Sequence, residues 1–525
     1  MVVLEGNKQL VKYSKMSAPL PHLKALVVWD EVVDKAIAAK CPCPVYSWEE
    51  FLNMGSDVSE AVVDNRTLDI QPGNCVTLIY TSGTTGPPKA VMISNDNITW
   101  TAANVVEHYM DLNHTDRIIS YLPLSHIAAQ MIDIHCMMAI GGCAYFAQPD
   151  ALKGSLTVTM KEVRPTFFFG VPRVWEKIEE KMVQIGRNTT GIKKILSTWA
   201  KSCGTEHCRR MQYGNGGGAG WGYGCANSLV LSKIKEALGL DQVKGAFTAA
   251  APIAPETLHY FASVDIPVYE VFGQSECTGP HTVSFAHCWK IGYCGRPMKG
   301  TETMIVPGTG ELCYRGRHIF MGYMRMPEKT AETIDEEGFL HSGDVAELDG
   351  NDDPDIPSPS GFLRITGRIK ELIITAGGEN IPPVLIENEM KAAMVALSNV
   401  MVIGDKRKFL SMVVSLKVEM DAETGLPKEK LATDSVFVGQ QIGSSATTYT
   451  EAMADPLWAN YITAGMKKAN GKTTSNAQIV QKWKWLPKDF SEKEGDLTPT
   501  LKLKRNVVAE KYATLIHSIY DGDDA

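Results

Sequence analysis

A loop of small hydroxyl residues and glycines at positions 80–89 constrains the fold of this chain more than any other feature. It reads Tyr-Thr-Ser-Gly-Thr-Thr-Gly-Pro-Pro-Lys, and it follows a β-rich run at Cys75–Tyr80. A segment with helical spacing, Asn95–Tyr109, comes next. Glycines let backbone N–H groups approach phosphate oxygens, hydroxyl groups add donors, and a lysine offsets negative charge. The order strand, loop, helix therefore predicts a phosphate-binding loop in an α/β fold.

This loop differs from the P-loop of nucleoside triphosphatases. Ala90 follows Lys89 where a P-loop has serine or threonine, and the spacing of Gly83 and Gly86 is too short. Taken alone, a loop of this composition is more often a plain turn than a ligand site. Its interpretation therefore depends on the motifs that follow.

Length and periodicity predict several structural units. A chain of 525 residues exceeds what one hydrophobic core supports. Strand-like runs at Arg117–Leu122 and Gly142–Phe146 alternate with helical patterns at Val171–Ile185 and Leu229–Leu238, which indicates sheets covered by helices. The glycine-rich stretch Gly214–Gly224 predicts a surface loop without regular structure.

Charge and hydropathy exclude some classes of partner. The net charge of −8 disfavours binding to nucleic acid. We predict no transmembrane segment, because no run approaches the roughly 18 apolar residues that span a bilayer. Met1–Asp30 lacks the pattern of a secretory signal, so we predict a cytoplasmic protein.

The twelve cysteines show no repeat spacing, which favours reduced thiols in a chain of this class. Two groups invite a zinc interpretation, Cys41 with Cys43, and Cys203 with His207 and Cys208. Neither has the second ligand pair of a zinc site, so we assign zinc to neither.

The loop closely resembles the signature loop of the adenylate-forming superfamily, which contains acyl-CoA synthetases, luciferases and the adenylation domains of peptide synthetases. Further segments resemble the motifs of this superfamily in the same order: Tyr121–His126, Ala249–Pro252, Phe272–Glu276, His341–Asp344, Thr366–Glu371 and Leu497–Arg505. Within the superfamily the nearest match is the bubblegum type of long-chain acyl-CoA synthetase, on the segments Glu276–His281, Gly377–Pro383, Ile386–Asn388 and Leu497–Arg505.

The resemblance implies which residues bind ATP or AMP. These are Thr81, Ser82, Gly83, Thr84, Thr85, Gly86, Pro87, Pro88, Lys89, Ala250, Ala251, Phe272, Gly273, Gln274, Ser275, Glu276, Cys277, Asp344, Arg368 and Lys502. Phe272 is expected to stack on adenine, Ser275 to donate to phosphate, and Asp344 to accept both ribose hydroxyls. Ala249 stands where the family usually has glycine.

Three residues are expected to be catalytic: Lys502, Glu276 and Thr84. Glu276 is implied as the ligand of Mg²⁺, a cation that prefers oxygen donors. Lys502 is favoured over its neighbour Lys504 by its place in the motif. His126 is expected to border the acyl site.

The resemblance also implies an α/β architecture with two domains. A large multi-sheet AMP-binding domain is predicted at 1–368, and a small mobile α+β domain at 369–525 carries Lys502. Lys370 is expected to be the hinge, and Gly377 and Gly378 to line the path of CoA. Only eighty residues precede Thr81, so we expect a shortened form of the first domain that lacks its first part.

The implied function is a long-chain fatty acid–CoA ligase. Such an enzyme uses ATP, Mg²⁺, a fatty acid and CoA, and passes through an acyl-adenylate to acyl-CoA, AMP and pyrophosphate. Peripheral contact with endoplasmic reticulum or other lipid membranes fits this substrate class. Two alternatives stay open: an adenylating enzyme with another acceptor, and a catalytically impaired homologue that binds nucleotide or acyl ligand without turnover.

Overall fold

The computed structural model describes residues 1–18, 20–81, 88–212, 218–349, 361–374, 380–421, 424–473, 475–498 and 503–520. These residues form two compact units, Met1–Asn74 and Cys75–Ala525. Some predicted site residues lie outside the described ranges: Ser82, Gly83, Thr84, Thr85, Gly86, Pro87, Gly377, Gly378 and Lys502.

The first unit is built on a small parallel sheet. Its strands, in spatial order, are Val2–Leu4, Leu26–Val28 and Val45–Ser47. Its helices are Asn7–Ser14, Lys35–Ala38, Trp48–Asn53 and Glu60–Leu68. Leu10 on the first helix is fully buried and packs with Leu4, Leu26 and Val28, which forms a separate small core.

The predicted phosphate loop joins the two strands of an antiparallel hairpin at the start of the second unit. Strand Cys75–Thr81 pairs with Lys89–Ser94, and Thr81 lies opposite Lys89. Ser94 then caps helix Asn95–His108, because its hydroxyl accepts a hydrogen bond from the Asn97 N–H at 3.1 Å. Strand pairing therefore fixes both ends of the loop.

A five-stranded sheet follows, and it gathers the predicted adenine-side residues at one edge. Its spatial order is Arg296–Pro297, Gly279–Val283, Val268–Gln274, Gly245–Thr248 and Phe167–Phe169. The last three strands are mutually parallel. Ala250 and Phe272 lie at the carboxyl ends of neighbouring strands, the edge at which α/β sheets bind ligands.

A four-stranded antiparallel sheet carries the predicted ribose residues. Its spatial order is Glu302–Ile305, Glu311–Arg315, Leu340–Leu348 and Leu363–Arg368. In its register Asp344 lies directly opposite Arg368. Residues 350–360 lie outside the described residues, but the two strands that flank them pair directly.

The other elements of the second unit before residue 369 comprise three further strands, nine α-helices, two π-helices and two 3₁₀ turns among the described residues. The remaining strands are Arg117–Ser120, Cys143–Phe146 and Gly322–Tyr323. The α-helices are Ile127–Ala129, Met137–Ile140, Leu156–Val163, Pro172–Arg187, Gly191–Met211, Tyr223–Ala226, Ser232–Leu238, Pro255–Ser263 and Pro327–Thr333. Two π-helices, Gln130–Cys136 and Asn227–Leu231, and two 3₁₀ turns, Ala151–Lys153 and Ser275–Cys277, complete the set.

The glycine-rich stretch runs into a helix, which corrects the prediction of a loop through Gly224; residues 214–217 of the stretch lie outside the described residues. A helix begins at Tyr223, and the Tyr223 hydroxyl donates to Asp265 Oδ2 at 2.8 Å. The ring of His207 stacks on Tyr223 at 3.9 Å between centroids. These side-chain contacts, which glycine content does not reveal, hold that end of the stretch.

The region after residue 368 has its own cores. Its strands are Ile373–Ile374, Asn380–Ile381, Leu397–Ile403, Leu410–Leu416, Val418–Met420, Pro427–Leu431 and Val480–Trp485. Its α-helices are Pro383–Ala393, Thr433–Ile442, Tyr449–Ala454, Pro456–Asn470, Arg505–Lys511 and Ala513–Tyr520, with 3₁₀ turns at Ile369–Glu371 and Asn476–Gln478. The buried clusters formed within 373–520 contain no residue before Ile373 among those the structure describes.

Backbone strain at Ala250 gives a first testable expectation. Its φ is +75°, in the left-handed region that costs a residue with a Cβ about 1 kcal/mol. We expect Ala250→Gly to raise the free energy of unfolding by about 0.5–1 kcal/mol, since glycine adopts this conformation without the steric penalty. Urea unfolding measures the change. Ala251→Gly is the control, because Ala251 has no positive φ, and a loss of stability in both variants would contradict the assignment of strain.

Candidate nucleotide site

Three side chains, two from paired strands and one from a 3₁₀ turn, meet beside the predicted phosphate loop. Lys89 begins the second strand of the hairpin, and Tyr323 lies on the strand that pairs with it. The Lys89 Nζ lies 4.4 Å from the centroid of the Tyr323 ring, within range of a cation–π contact. The Tyr323 hydroxyl donates to Glu276 Oε1 at 2.8 Å. Tyr323 therefore connects the phosphate-loop lysine to the predicted metal ligand.

Sequence reasoning missed Tyr323. It belongs to the two-residue strand Gly322–Tyr323, which is too short to show any periodicity. Tyr323 is buried, and burial together with the charge of Glu276 raises the pKa of its hydroxyl, so that it stays a neutral donor. Gly322 is required beside it, since a Cβ there would lie 2.7 Å from Thr330 Cγ2.

The predicted ribose residues form a second set of contacts. The Arg368 Nε lies 3.0 Å from Asp344 Oδ1, and the Gln274 Nε2 donates to Asp344 Oδ2 at 2.9 Å. Asp344 is buried, and its carboxylate raises the pKa of Arg368 further. Each carboxylate oxygen accepts more than one hydrogen bond, so these contacts orient Asp344 without using up its capacity for two hydroxyl groups.

Gln274 joins the ribose end to the phosphate end. Its side-chain amide reaches Asp344, and also donates to the Ser342 carbonyl at 3.0 Å. Two residues later in the same segment stands Glu276, which contacts Tyr323. Arg368 is therefore linked to Lys89 by side-chain contacts through Asp344 and Tyr323, and by the short segment Gln274–Glu276 between them.

The segment that bears Phe272 is shaped by close backbone packing. The strand register shifts between Phe272 and Gly273, and a Cβ at Gly273 would lie only 1.7 Å from the Gly279 carbonyl oxygen. No side chain fits there, so glycine is required by the fold itself. The Phe272 ring meets Tyr314 edge-on at 6.4 Å between centroids. Ser275 and Cys277 follow in the 3₁₀ turn, and burial raises the pKa of the Cys277 thiol to about 12.

Other predicted residues lie on neighbouring segments. His126 caps the short helix Ile127–Ala129, because its Nδ1 accepts from the Ala128 N–H at 3.2 Å. Lys370 lies in the 3₁₀ turn directly after Arg368, with its side chain exposed. Thr81 and Pro88 flank the undescribed part of the phosphate loop.

Arg505 ties the end of the chain to the predicted hinge. Its Nε lies 3.3 Å from Glu371 Oε2, and its Nη1 donates to Glu387 Oε1 at 2.7 Å. Glu371 is the residue after Lys370, and Arg505 follows Lys502 by three positions. The segment next to the predicted catalytic lysine is thus held beside the hinge.

Glu276 fits the way proteins hold Mg²⁺ together with a nucleotide. Mg²⁺ is usually held by one or two carboxylates, with substrate phosphates and water as its other ligands. Within the described ranges, one group of three or more acidic, histidine or cysteine ligands was found, and it is Glu311, Cys313 and His341. Glu276 lies outside that group, as expected for a carboxylate that shares the ion with ATP.

Comparison with known proteins assigns the chain to a family. The family model described as AMP-binding enzyme matches residues 22–324, and the model of the AMP-binding enzyme C-terminal domain matches residues 370–524. The chain belongs to the AMP-binding enzymes. The predicted adenylate-forming superfamily is therefore confirmed.

Named relatives of this AMP-binding enzyme extend over nearly its whole length. The long-chain-fatty-acid–CoA ligase ACSBG2 of Xenopus laevis is 48% identical over 530 residues, 99% of this chain and 70% of the relative. The ligase of the same name from Homo sapiens is 41% identical, over 99% of this chain and 77% of the relative. Both names agree with the bubblegum-type resemblance.

Solved structures support the fold. ATP-bound MatB from Rhodopseudomonas palustris has a TM-score of 0.60 at 21% identity, and covers 94% of this chain and 80% of its own. The adenylation domain of a carboxylate reductase from Mycobacterium chelonae has a TM-score of 0.60 at 19% identity, and the match covers 95% of this chain and 69% of that domain's chain. The predicted α/β architecture, a large domain followed by a smaller C-terminal one, is thereby confirmed.

The contact of Tyr323 with Glu276 yields a second expectation for this AMP-binding enzyme. Tyr323→Phe keeps the ring beneath Lys89 but removes the donor to Glu276. A hydrogen bond to a charged group contributes about 1.5–3 kcal/mol, so we expect adenylate formation to slow by about tenfold or more. The Mg²⁺ concentration at half-maximal rate should rise as well. Pyrophosphate release measured across a Mg²⁺ series tests this, and rates equal to the unmodified chain throughout that series would contradict it.

Proposed function

We propose that this AMP-binding enzyme ligates long-chain fatty acids to coenzyme A. The contacts that, together with the short segment Gln274–Glu276, link Arg368 to Lys89 carry the proposal, because they combine a carboxylate suited to ribose with a cation and a carboxylate suited to the phosphates of ATP. The substrate class rests on relatives that are 41–48% identical and are named long-chain-fatty-acid–CoA ligases.

In the first half-reaction an oxygen of the fatty carboxylate attacks the α-phosphorus of ATP. The bond from that phosphorus to the bridging oxygen breaks, and pyrophosphate leaves. Negative charge on the phosphoryl oxygens is offset by Lys89, by donors of the loop at 81–89 and by Lys502. Mg²⁺ held at Glu276 supplies further positive charge to the phosphates when it is bound.

Orientation accounts for a large part of the expected rate. Asp344, kept in place by Gln274 and Arg368, fixes the ribose, and Phe272 stacks on the adenine. Holding both reactants in position can lower the activation free energy of a two-substrate step by about 7–11 kcal/mol. The ribose contacts thus serve the reaction at the α-phosphate without touching it.

In the second half-reaction the sulfur of CoA attacks the acyl carbonyl. The bond between that carbon and the phosphoryl oxygen breaks, the thiol loses its proton to solvent, and AMP leaves. We propose that the domain at 369–525 turns about Lys370 relative to 1–368, withdraws Lys502 and presents Gly377 and Gly378 to CoA. Such a movement shields the adenylate from water between the two steps.

Among the residues that the structure describes, no helix is long and apolar enough to cross a bilayer. The predicted cytoplasmic location rests on the lack of a secretory-signal pattern in Met1–Asp30, and the predicted peripheral membrane contact rests on the substrate class; both stay predictions.

Palmitate-dependent exchange of labelled pyrophosphate into ATP tests the first half-reaction by itself. We expect exchange that requires palmitate, Mg²⁺ and the intact chain, and that falls by at least tenfold in Glu276→Gln, which removes the metal-binding charge. Exchange with palmitate that yields no thioester on addition of CoA would favour another acceptor. ATP binding without exchange would favour a catalytically impaired homologue.

A further inference from the structure

Three side chains with metal-binding atoms converge on the sheet that carries Asp344. Cys313 and His341 lie directly opposite each other on adjacent antiparallel strands. Glu311 precedes Cys313 by two positions, and although the strand register is irregular between them, both side chains contact the ring of His341. One ligand atom from each residue lies within 4.8 Å of the others.

Two of the distances among these atoms are close to the edges of a tetrahedral site. His341 Nδ1 lies 3.4 Å from Cys313 Sγ and 3.0 Å from Glu311 Oε2. In tetrahedral zinc sites the metal lies about 2.3 Å from sulfur and about 2.0–2.1 Å from nitrogen or oxygen, which separates adjacent ligand atoms by roughly 3.3–3.6 Å. The nitrogen–sulfur distance falls in this range, and the nitrogen–oxygen distance is a few tenths of an ångström shorter.

The other nitrogen of His341 has the partner expected of a metal-bound imidazole. Its Nε2 lies 3.4 Å from Asp335 Oδ2. Histidine ligands of zinc usually donate their second N–H to a carboxylate, which fixes the ring and its tautomer. Asp335 is thus placed to orient the ring while Nδ1 faces the cysteine and the glutamate.

We propose that Glu311, Cys313 and His341 form a binding site for a zinc-class transition metal ion, separate from the Mg²⁺ site at Glu276. A set of one sulfur, one nitrogen and one oxygen suits zinc or cobalt and does not suit Mg²⁺, which prefers oxygen ligands alone. Three protein ligands leave a fourth position for water. The ion enters past His341 and Glu311, whose side chains are 34% and 17% exposed, and the cysteine proton passes to solvent on binding.

The site adjoins the ribose end of the nucleotide site. Glu311 Oε1 accepts a hydrogen bond from the Gly343 N–H at 3.1 Å, and Gly343 precedes Asp344. One oxygen of Glu311 therefore contacts the backbone next to Asp344, and the other oxygen faces His341 at the proposed metal site. A bound ion would stiffen this backbone.

Cobalt is the probe for a direct test, because cobalt bound by a thiolate has a characteristic absorption band. The chelator-treated full chain is titrated with Co²⁺, followed by Zn²⁺ in competition. We expect one equivalent of Co²⁺ with a thiolate-to-cobalt band that Zn²⁺ removes. Cys313→Ser should abolish the band, and Asp335→Asn should weaken binding by about 10–100-fold through the orienting contact.

Cys225→Ser is the matched control, since Cys225 is an exposed thiol, and the band should persist in this variant. Circular dichroism verifies that each variant is folded. Asp335 is partially exposed, so Asp335→Asn alters no core residue, whereas Cys313 is fully buried. Absence of the band in the unmodified chain would overturn the proposal, as would a band that survives Cys313→Ser. Because binding is read without turnover, neither result bears on the ligase reaction.

Discussion

Replacing Lys502 by alanine is expected to slow acyl-adenylate formation by about 10²–10³-fold, the range seen when one preorganised donor to transition-state charge is removed. In the proposed mechanism Lys502 acts at the α-phosphate and is withdrawn before CoA attacks. Thioester formation from supplied palmitoyl-adenylate should therefore stay within about twofold of the unmodified rate. Quenched-flow measurement of adenylate from labelled ATP, and of palmitoyl-CoA from synthetic adenylate, separates the two steps.

Lys504→Ala is the control for this experiment. The Lys504 backbone N–H donates to the Asp496 carbonyl at 2.9 Å, a contact that an alanine retains. Both half-reactions should keep nearly their normal rates in this variant. Equal loss in both half-reactions of Lys502→Ala would contradict the proposed role, because a lysine specific to adenylation cannot slow both steps alike.

Asp344→Asn should have the second large effect, an increase of about 10–100-fold in the KM for ATP with a smaller change in kcat. Two partners of Asp344, the Gln274 amide and the Arg368 guanidinium, are donors. The asparagine NH₂ would have to face one of them, and the ribose would lose a charged acceptor, at a cost of about 1.5–3 kcal/mol for a charge-assisted bond. Calorimetric titration with ATP gives the change in affinity directly.

Glu347→Gln provides the matched control on the same strand. Glu347 pairs with Arg364 at 3.3 Å, but both side chains are about half exposed, so this ion pair contributes little. Its substitution should leave the KM for ATP unchanged. An unchanged KM in Asp344→Asn, or equal changes in the two variants, would contradict the assignment of Asp344 to the ribose.

The ribose pair shows what sequence motifs can predict. The sequence motifs identify Asp344 and Arg368 although 23 residues separate them. Each residue lies in a short segment, His341–Asp344 or Thr366–Glu371, that resembles a family motif by itself. Their convergence follows from antiparallel pairing of the two flanking strands, which places them directly opposite each other. The motifs and the strand register therefore agree in placing both residues at the ribose end of the site.

Tyr323 and the cluster at Glu311 show what the motifs do not reveal. Tyr323 contacts Glu276 from 47 positions away through a strand of two residues, so neither spacing nor periodicity indicates the pair. Cys313 and His341 belong to strands whose register a sequence pattern leaves open. Contacts between distant segments of this kind are set by how whole sheets pack.

One assay tests the central claim most directly: the full chain is incubated with ATP, Mg²⁺, CoA and palmitate, and AMP and palmitoyl-CoA are quantified together. We expect both to appear in equal amounts, and neither to form when palmitate is omitted. Binding of ATP without either product would contradict the claim, and AMP that accumulates without palmitoyl-CoA would contradict the assignment of CoA as the acceptor.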